Sequence, residues 1–381
     1  MSKKVLIFST AYLPLVGGAE IAVKEITQRL TDWRFDLIAA KIKPDLARFE
    51  KIGNVNIYRV GLGINFDKFL LPFLGLLKAN QLERKNHYDL TWSIMASFGG
   101  FLGLFFKYFH SQKPWLLTLQ EGDPIRAIFK KVGIFRPLFK QIFRRADYIQ
   151  VISRYLADWA KEMGSRCPIE IVPNGVDPEY FSQEYPAAEL NKLESEINKK
   201  EEDKYLITAS RLVLKNAVDD VIKSLKYLPK NVKFLILGSG PDLAKLQELA
   251  EELEVKNRVI FLGQIDHKEI LKYLKISDIF IRPSLSEGLG NSFLEAMAAG
   301  LPVIGTPVGG IPDFLEDRKT GLFCRVRNPQ NIAGKVKELL SDNELRRVII
   351  DNGWALVEKK YSWFKISQQM DQIFKKLSED A

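Results

Sequence analysis

The chain has 381 residues, and its 56 Lys plus Arg against 47 Asp plus Glu leave a formal net charge of +9. Hydrophobic residues at 46%, aromatic residues at 11% and charged residues at 27% are those of a globular protein with room for two or three domains. They exclude wholesale disorder, collagen and fibre classes.

Lys3-Lys4 and the apolar run Val5 to Val16 imitate a secretory signal, but no A-x-A-like cleavage site follows, and Val5 to Ser9 reads as a strand. Strand-length apolar runs recur at Phe35–Ala40, Asn56–Val60, Leu90–Trp92, Trp115–Leu119, Tyr148–Ile152 and Glu170–Val172, with stretches of helical period between them. Such alternation predicts a parallel, doubly wound α/β sheet. The uncharged stretch Leu90 to Phe106 contains Gly99-Gly100 and falls short of the ~20 apolar residues of a spanning helix, so no transmembrane segment is predicted. Cys167 and Cys324 lie far apart with no C-x-x-C, which argues against a disulfide framework or zinc site and points to a reducing cytosol.

Ser182 to Lys204 is dominated by charge and reads as a linker with one exposed helix. The pattern then restarts at Tyr205–Ala209, Lys233–Leu237, Arg258–Leu262, Ile279–Arg282, Pro302–Gly305 and Gly321–Cys324, predicting a second sheet. Trp363, Ile366, Met370, Ile373 and Phe374 have helical spacing and could pack on either domain. Without short tandem repeats, solenoids and propellers fall away. Ligands of two such sheets are expected at the carboxyl ends of their strands.

Four loops carry the chemistry. Gly17-Gly18-Ala19-Glu20 follows the first strand and opens a helix, where N–H groups could meet an anion or form only a tight turn. Arg211 and Lys215 follow the first strand of the second series, and could neutralise a diphosphate or be two solvated surface cations. Gly238-Ser239-Gly240-Pro241 opens like a dinucleotide fingerprint, yet Leu243 stands where its third glycine belongs, which disfavours an NAD enzyme. The richest loop runs from Pro283 to Gly300, with Asn291-Ser292 as a cap candidate. Glu287 and Glu295 there could accept hydrogen bonds from sugar and ribose hydroxyls, while the N–H groups of Leu289 to Ser292 address an anion or polar oxygens.

In this order, Gly17 to Glu20, Val151-Ile152-Ser153, Pro173 to Asp177, Arg211 with Lys215, Gly238 to Pro241 and Glu287 to Glu295 resemble glycosyltransferase family 4, across nearly the whole chain. The resemblance implies the α/β GT-B fold, two Rossmann-like doubly wound parallel-sheet domains facing across a cleft. The expected division is an acceptor-side domain over 1–181, a linker over 182–204, a donor-binding domain over 205–360, and a helix from 361 to 381 returning to the first domain. It implies a retaining transferase using a nucleotide-diphosphate sugar. Arg211 and Lys215 would bind the diphosphate and Glu295 the ribose; Glu287 with the Gly288, Leu289, Gly290, Asn291 and Ser292 segment would bind the sugar. Gly17 and Gly18 would close over the phosphate, Gly238 and Gly240 would border the nucleotide, and base contacts would fall on backbone from Gly263 to Ile265. No D-x-D triplet occurs, so no metal or other cofactor is expected, and fixed cations with helix N-termini would stabilise the leaving diphosphate. No side-chain nucleophile is assigned.

Where many family members carry a histidine after the strand Trp115–Leu119, this chain reads Gln120-Glu121-Gly122-Asp123. Gln120 could supply that contact, and Glu121, Asp123 and Asn174 are acceptor-side candidates; a polar loop capping the next helix through Asp123 and Pro124 is the other reading. His87, His110 and His267 read as surface residues. Arg126, Lys130, Lys131, Arg136, Lys140, Arg144 and Arg145 interleave with apolar residues and no acid, and Phe66 to Lys78 is a second apolar stretch flanked by lysines. These are either core-facing amphipathic helices or a peripheral dock on an anionic cytoplasmic leaflet, where a glycan or lipid-linked acceptor would be met. The competing functions are a GT-B-like nucleotide-sugar epimerase, a nucleotide-sugar-binding protein without transferase activity, and a nucleic-acid binder; the last lacks any recognised motif, so no nucleic acid is expected.

Overall fold

The computed structural model describes residues 3–15 and 17–379; Val16, which belongs to the predicted glycine loop, and the outermost residues at both ends lie outside the described residues. The chain forms two compact units, Met1–Asn174 with Trp363–Ala381, and Gly175–Ser362.

The first unit contains β1 (Lys3–Phe8), β2 (Trp33–Ala40), β3 (Phe49–Ile52), β4 (Val55–Val60), β5 (Leu90–Ile94), β6 (Trp115–Leu119), β7 (Tyr148–Val151) and β8 (Ile169–Ile171), ordered β3-β4-β2-β1-β5-β6-β7-β8. All neighbours are parallel except β3 and β4, a hairpin turned at Gly53 with φ 60°. β3 was not legible as a strand because, as an edge strand, it alternates between exposed and half-buried residues instead of forming an apolar run. Helices cover both faces, so the central strands are buried on both sides; every residue of β6 is buried.

The helix Trp363–Glu379 belongs to this unit. Its spacing of apolar residues makes one stripe: Trp363, Ile366, Met370, Ile373, Phe374 and Leu377 join Val5, Ile7, Phe35 and Trp92 in a single core. Phe374 meets Trp33 and Trp92 edge-on at 5.4 and 5.2 Å.

The second unit contains β9 (Lys204–Ala209), β10 (Val232–Leu237), β11 (Val259–Gly263), β12 (Ile279–Arg282), β13 (Val303–Gly305) and β14 (Leu322–Phe323), all parallel, ordered β11-β10-β9-β12-β13-β14. The segment 182–204, expected as a linker, lies inside this unit. It carries the helix Ala187–Glu196, tied down by Lys272 to Glu189 at 2.6 Å and by Lys199 to the Ile276 carbonyl at 2.8 Å. Charge density suggested a solvated tether, but Glu184, Glu189, Glu194, Lys199, Asp203 and Lys204 are all paired; the chain passes between units at 174–175 and 362–363.

Each sheet has one place where strand order reverses: between β1 and β5 in the first, and between β9 and β12 in the second. Loops leaving the carboxyl ends of such a strand pair diverge to opposite faces and open a crevice.

Candidate active site

The reversal in the second sheet brings together the loops after β9 and β12. The first carries Arg211 and Lys215, the second Glu287. They are joined directly: the Leu285 N–H donates to the Lys215 carbonyl at 2.6 Å. Within the first loop, the Asn216 side-chain amide donates to the Arg211 carbonyl at 2.6 Å, and Leu214–Asn216 forms a single 3-10 turn. Arg211 is exposed and Lys215 half-buried.

Gly238 and Gly240 support this loop by close backbone approach. A Cβ on Gly238, at φ 136°, would stand 1.9 Å from the Ser210 carbonyl oxygen, and one on Gly240 would stand 2.2 Å from that of Leu212. The Leu212 N–H donates to the Ser239 carbonyl at 3.0 Å and the Asp242 N–H to the Leu212 carbonyl at 3.2 Å. Ile265 is half-buried between the end of β11 and the helix His267–Lys275, whose N-cap Asp266 accepts the Lys268 N–H at 2.9 Å.

The Glu287 loop ends in the helix Asn291–Ala298, whose N-cap is Gly290 at φ 106°. No side chain caps this helix, so Asn291-Ser292 is not the cap that the sequence suggested; both residues lie inside the first turn. Ser292 Oγ instead accepts from Arg282 Nη1 at 2.8 Å, while Arg282 Nη2 donates to Glu287 Oε2 at 2.8 Å. Gly288, Leu289 and Gly290 are buried. The Glu287 carbonyl accepts the Gly310 N–H at 3.1 Å, from a Gly309-Gly310 pair after β13 that the sequence reading passed over. The signal was there: like Gly17-Gly18, it is a glycine pair following a strand.

Glu295 Oε1 is 3.0 Å from His267 Nε2, and the imidazole meets Phe181 edge-on at 5.8 Å. His267 is exposed, as expected, but not idle. His110 differs from expectation: it is half-buried, stacked on Phe106 at 4.2 Å and bonded to Asn80 at 2.7 Å, and burial lowers its pKa.

In the first unit the reversal point joins the loops after β1 and β5 through Thr10 Oγ1 and Ser97 Oγ, 3.0 Å apart. Gly17 is the N-cap of the helix Gly18–Arg29. Its N–H is met by the carboxylate of Glu20, which folds back over the helix start as in half of a capping box. Burial holds the Glu20 pKa above its ordinary value against these backbone hydrogen bonds. After β6, Gln120 Oε1 accepts from Asn174 Nδ2 at 3.1 Å. Glu121 is buried; its Oε1 accepts the Ala96 N–H at 2.6 Å, and its Oε2 has no hydrogen-bond partner. Desolvation pushes this carboxyl up to about 7, with the Ala96 N–H pulling the other way. Asp123 pairs with Lys131 at 2.8 Å, and the N-cap position of the next helix falls on Pro124, with no side-chain cap hydrogen bond there.

No group of three His, Cys, Asp or Glu able to hold a metal ion occurs among the described residues. A concavity of about 550 Å³ at the far end of the helix Asn291–Ala298 is lined by Lys275, Gly300, Asp351 and Trp354 among others, and by none of the candidate residues.

Comparison with known proteins identifies the family and the fold. Residues 191–355 match the family described as Glycosyl transferases group 1, and residues 16–180 match Glycosyltransferase Family 4. The N-acetyl-alpha-D-glucosaminyl L-malate synthase of Bacillus anthracis is 30% identical over 388 residues, 97% of each chain. Sucrose-phosphate synthase from Thermosynechococcus elongatus superposes with a TM-score of 0.86 at 21% identity over 100% of both chains. The Anabaena protein HepE in complex with UDP-glucose does so at 0.82 and 18% identity, over 98% of this chain and 99% of that one. The chain belongs to glycosyltransferase family 4 and has the GT-B fold; it is a glycosyltransferase.

Proposed function

We propose that this chain is a retaining, metal-independent transferase that moves a sugar from a nucleotide-diphosphate sugar to a hydroxyl of a glycan, lipid-linked or membrane acceptor, in cell-envelope or polysaccharide synthesis. The observation that carries the reading is the joined pair of loops at the second reversal point, two cations on one and a carboxylate on the other, hydrogen-bonded at Leu285 and Lys215. UDP-glucose bound to HepE is the chemistry such a pair would hold.

Arg211 and Lys215 would take the diphosphate, and the N-terminus of the helix Asn291–Ala298, whose N-cap Gly290 offers no side-chain cap, would add its partial positive charge. As the bond from the anomeric carbon to the phosphate oxygen breaks, charge grows on that oxygen, where fixed donors stabilise it without reorganisation. The acceptor oxygen bonds to the anomeric carbon from the face the diphosphate leaves, and its proton passes to a diphosphate oxygen. Glu287 would orient the sugar. Glu295, with Oε1 on His267, keeps Oε2 for the ribose hydroxyls. Gly17 and Gly18 would meet the donor phosphate once Glu20 swings away. Glu121, Asp123 and the Gln120–Asn174 pair would form the acceptor side.

Calorimetric titration with UDP-, GDP- and ADP-sugars, with and without EDTA, tests this directly. Selective, chelator-insensitive binding is expected, weakened at least ~100-fold in Arg211→Ala/Lys215→Ala, since charge-assisted hydrogen bonds contribute about 1.5–3 kcal/mol each. Unchanged affinity in that variant removes the diphosphate site; loss of binding in EDTA removes metal independence.

The membrane part of the reading rests on one face of the first unit. Phe66, at the N-cap of the helix Asp67–Asn86, and Phe69, Phe73 and Leu77 within it are exposed, as are Ile134 and Phe135. Phe69 meets Phe98 at 5.0 Å and Phe73 meets Phe105 at 5.8 Å, continuing the apolar surface onto the helix Phe98–Phe109. Arg126, Lys130, Arg136, Lys140, Arg144 and Arg145 are all exposed, with Arg136 over Phe129 and Arg145 over Tyr108. Phe139, Ile142 and Phe143 instead face the core, so the basic amphipathic segment is half core helix and half surface. Exposed rings beside unopposed cations suit the interface of an anionic bilayer. No helix among the described residues is long and apolar enough to cross it. Co-sedimentation with phosphatidylserine vesicles, reduced in Phe73→Ser/Leu77→Ser, is expected; absence of binding at low salt removes this part.

A further inference from the structure

We infer that Arg282 is a positioning residue of the transferase site, a structural pin that sets Glu287 and the first turn of the helix Asn291–Ala298 as one unit. The inference rests on the reading of Glu287 as a donor-sugar ligand. Arg282 is the last residue of an otherwise apolar strand and is only 6% exposed. A guanidinium at that depth needs a partner for its charge, which Glu287 supplies at 2.8 Å, while its buried Nε has no hydrogen-bond partner.

Its partners lie on three separate segments. Nη2 holds Glu287 Oε2 at 2.8 Å, Nη1 holds Ser292 Oγ at 2.8 Å, and Nη1 also approaches the carbonyl of Ala209, at the end of β9, at 3.5 Å. The plane lies over the ring of Phe293 at 4.9 Å, and that ring is itself wedged against Phe280 and Phe314 at 5.0 and 5.6 Å. The fork therefore has little freedom to turn. Gly290 makes room for it: a Cβ there would stand 3.3 Å from Nη2 and 2.9 Å from Phe293.

Two consequences follow for the chemistry. One oxygen of Glu287, Oε2, is committed to Arg282, which leaves Oε1 to face a sugar hydroxyl. The helix N-terminus and Glu287 cannot move independently, so a diphosphate bound at the one and a sugar bound at the other are held in fixed register. Lysine cannot reproduce this, because an ammonium has neither the planar fork nor the stacking face.

The test is steady-state kinetics, donor calorimetry and thermal unfolding on Arg282→Lys, Arg282→Met, Glu287→Gln, Ser292→Ala and the double variant Arg282→Met/Glu287→Gln. Arg282→Lys is expected to keep a cooperative unfolding transition while kcat falls at least ~10-fold and donor Kd shifts by less than ~3-fold, because orientation is lost rather than charge. Ser292→Ala, which removes one anchor and leaves the charge pair, should shift kcat in the same direction by a smaller factor, and it covers the case in which Arg282→Met does not fold. The double variant should be no slower than the slower single one, as for groups acting as a unit. Wild-type kcat in Arg282→Lys, with Glu287→Gln impaired, overturns the inference and leaves the donor site standing. Full activity of Glu287→Gln overturns the reading of Glu287 itself, and the inference with it. Multiplicative losses in the double variant would show that the two residues act separately.

Discussion

Two glycine turns that look alike in sequence do different physical work. Gly17 caps a helix in extended backbone at φ −140°, and a Cβ there would meet only the carboxylate of Glu20, at 2.6 Å. Gly238 sits at φ 136°, and its Cβ would overlap the Ser210 carbonyl oxygen at 1.9 Å. The first touches the end of a side chain that can rotate away; the second touches backbone that cannot. A glycine after a strand thus signals either an accessible helix start or an obligatory backbone contact, and only the partner atom distinguishes them.

Gly238→Ala is the largest effect expected. Strained φ and a clash with main chain together should cost about 3–5 kcal/mol, read as a fall of roughly 6–20 °C in the unfolding transition of the second unit. Because the displaced carbonyl opens the loop bearing Arg211, donor affinity should fall with it. Retained stability would mean that the two loops are not locked together, and the comparison with Gly17 would lose its basis.

Glu121 comes next, in the first unit. Burial raises its carboxyl to about 7 from an ordinary 4.5. Between those values the folded chain keeps a proton that the unfolded chain releases, so this group's contribution is fully present below about 4.5 and is lost as pH rises to about 7, by up to about 3 kcal/mol. Glu121→Gln keeps an acceptor for the Ala96 N–H and has no charge to bury. It should therefore match or exceed the native chain in stability at pH 8, with the gap closing toward pH 5. Chemical denaturation at several pH values checks this; parallel curves for the two proteins would show that Glu121 is not the buried acid.

Much of the fold was open to reading because strands buried on both faces appear as continuous apolar runs, and helices interrupt them at regular intervals. β3 escaped for the opposite reason, its edge position leaving half of each residue pair in water. The candidate loops were legible wherever they held a glycine at a special backbone or a charged residue after a strand, as at Arg211, Lys215, Glu287 and Gly238, which the structure gathers around the second reversal point. Arg282 and His267 escaped because each acts through a partner distant in sequence: Ser292 is ten residues on, and Glu295 is 28. A charged residue closing an apolar strand was the one available hint for Arg282, and a lone exposed histidine gave none for its hydrogen bond. The helix cap was misplaced because Asn291-Ser292 has the composition of a cap, whereas the backbone geometry gives that position to Gly290.

Gly17→Ala is the smallest effect expected, and the one that sharpens the comparison most. The native φ is open to alanine, so no strain arises; what changes is that Glu20 must leave its place over the helix start. Loss of that contact costs at most about 1 kcal/mol, a shift of roughly 2–4 °C for a unit of this size. Catalysis need not follow stability here. If Glu20 stands where a donor phosphate would meet the Gly17 and Gly18 N–H groups, displacing it removes a competing negative charge while the added methyl crowds the anion. Donor KM should then change with little change in the unfolding temperature, a separation that Gly238→Ala cannot give. A collapse of the fold in Gly17→Ala equal to that of Gly238→Ala would show that both turns are structural contacts of one kind, and would take the phosphate role away from the first.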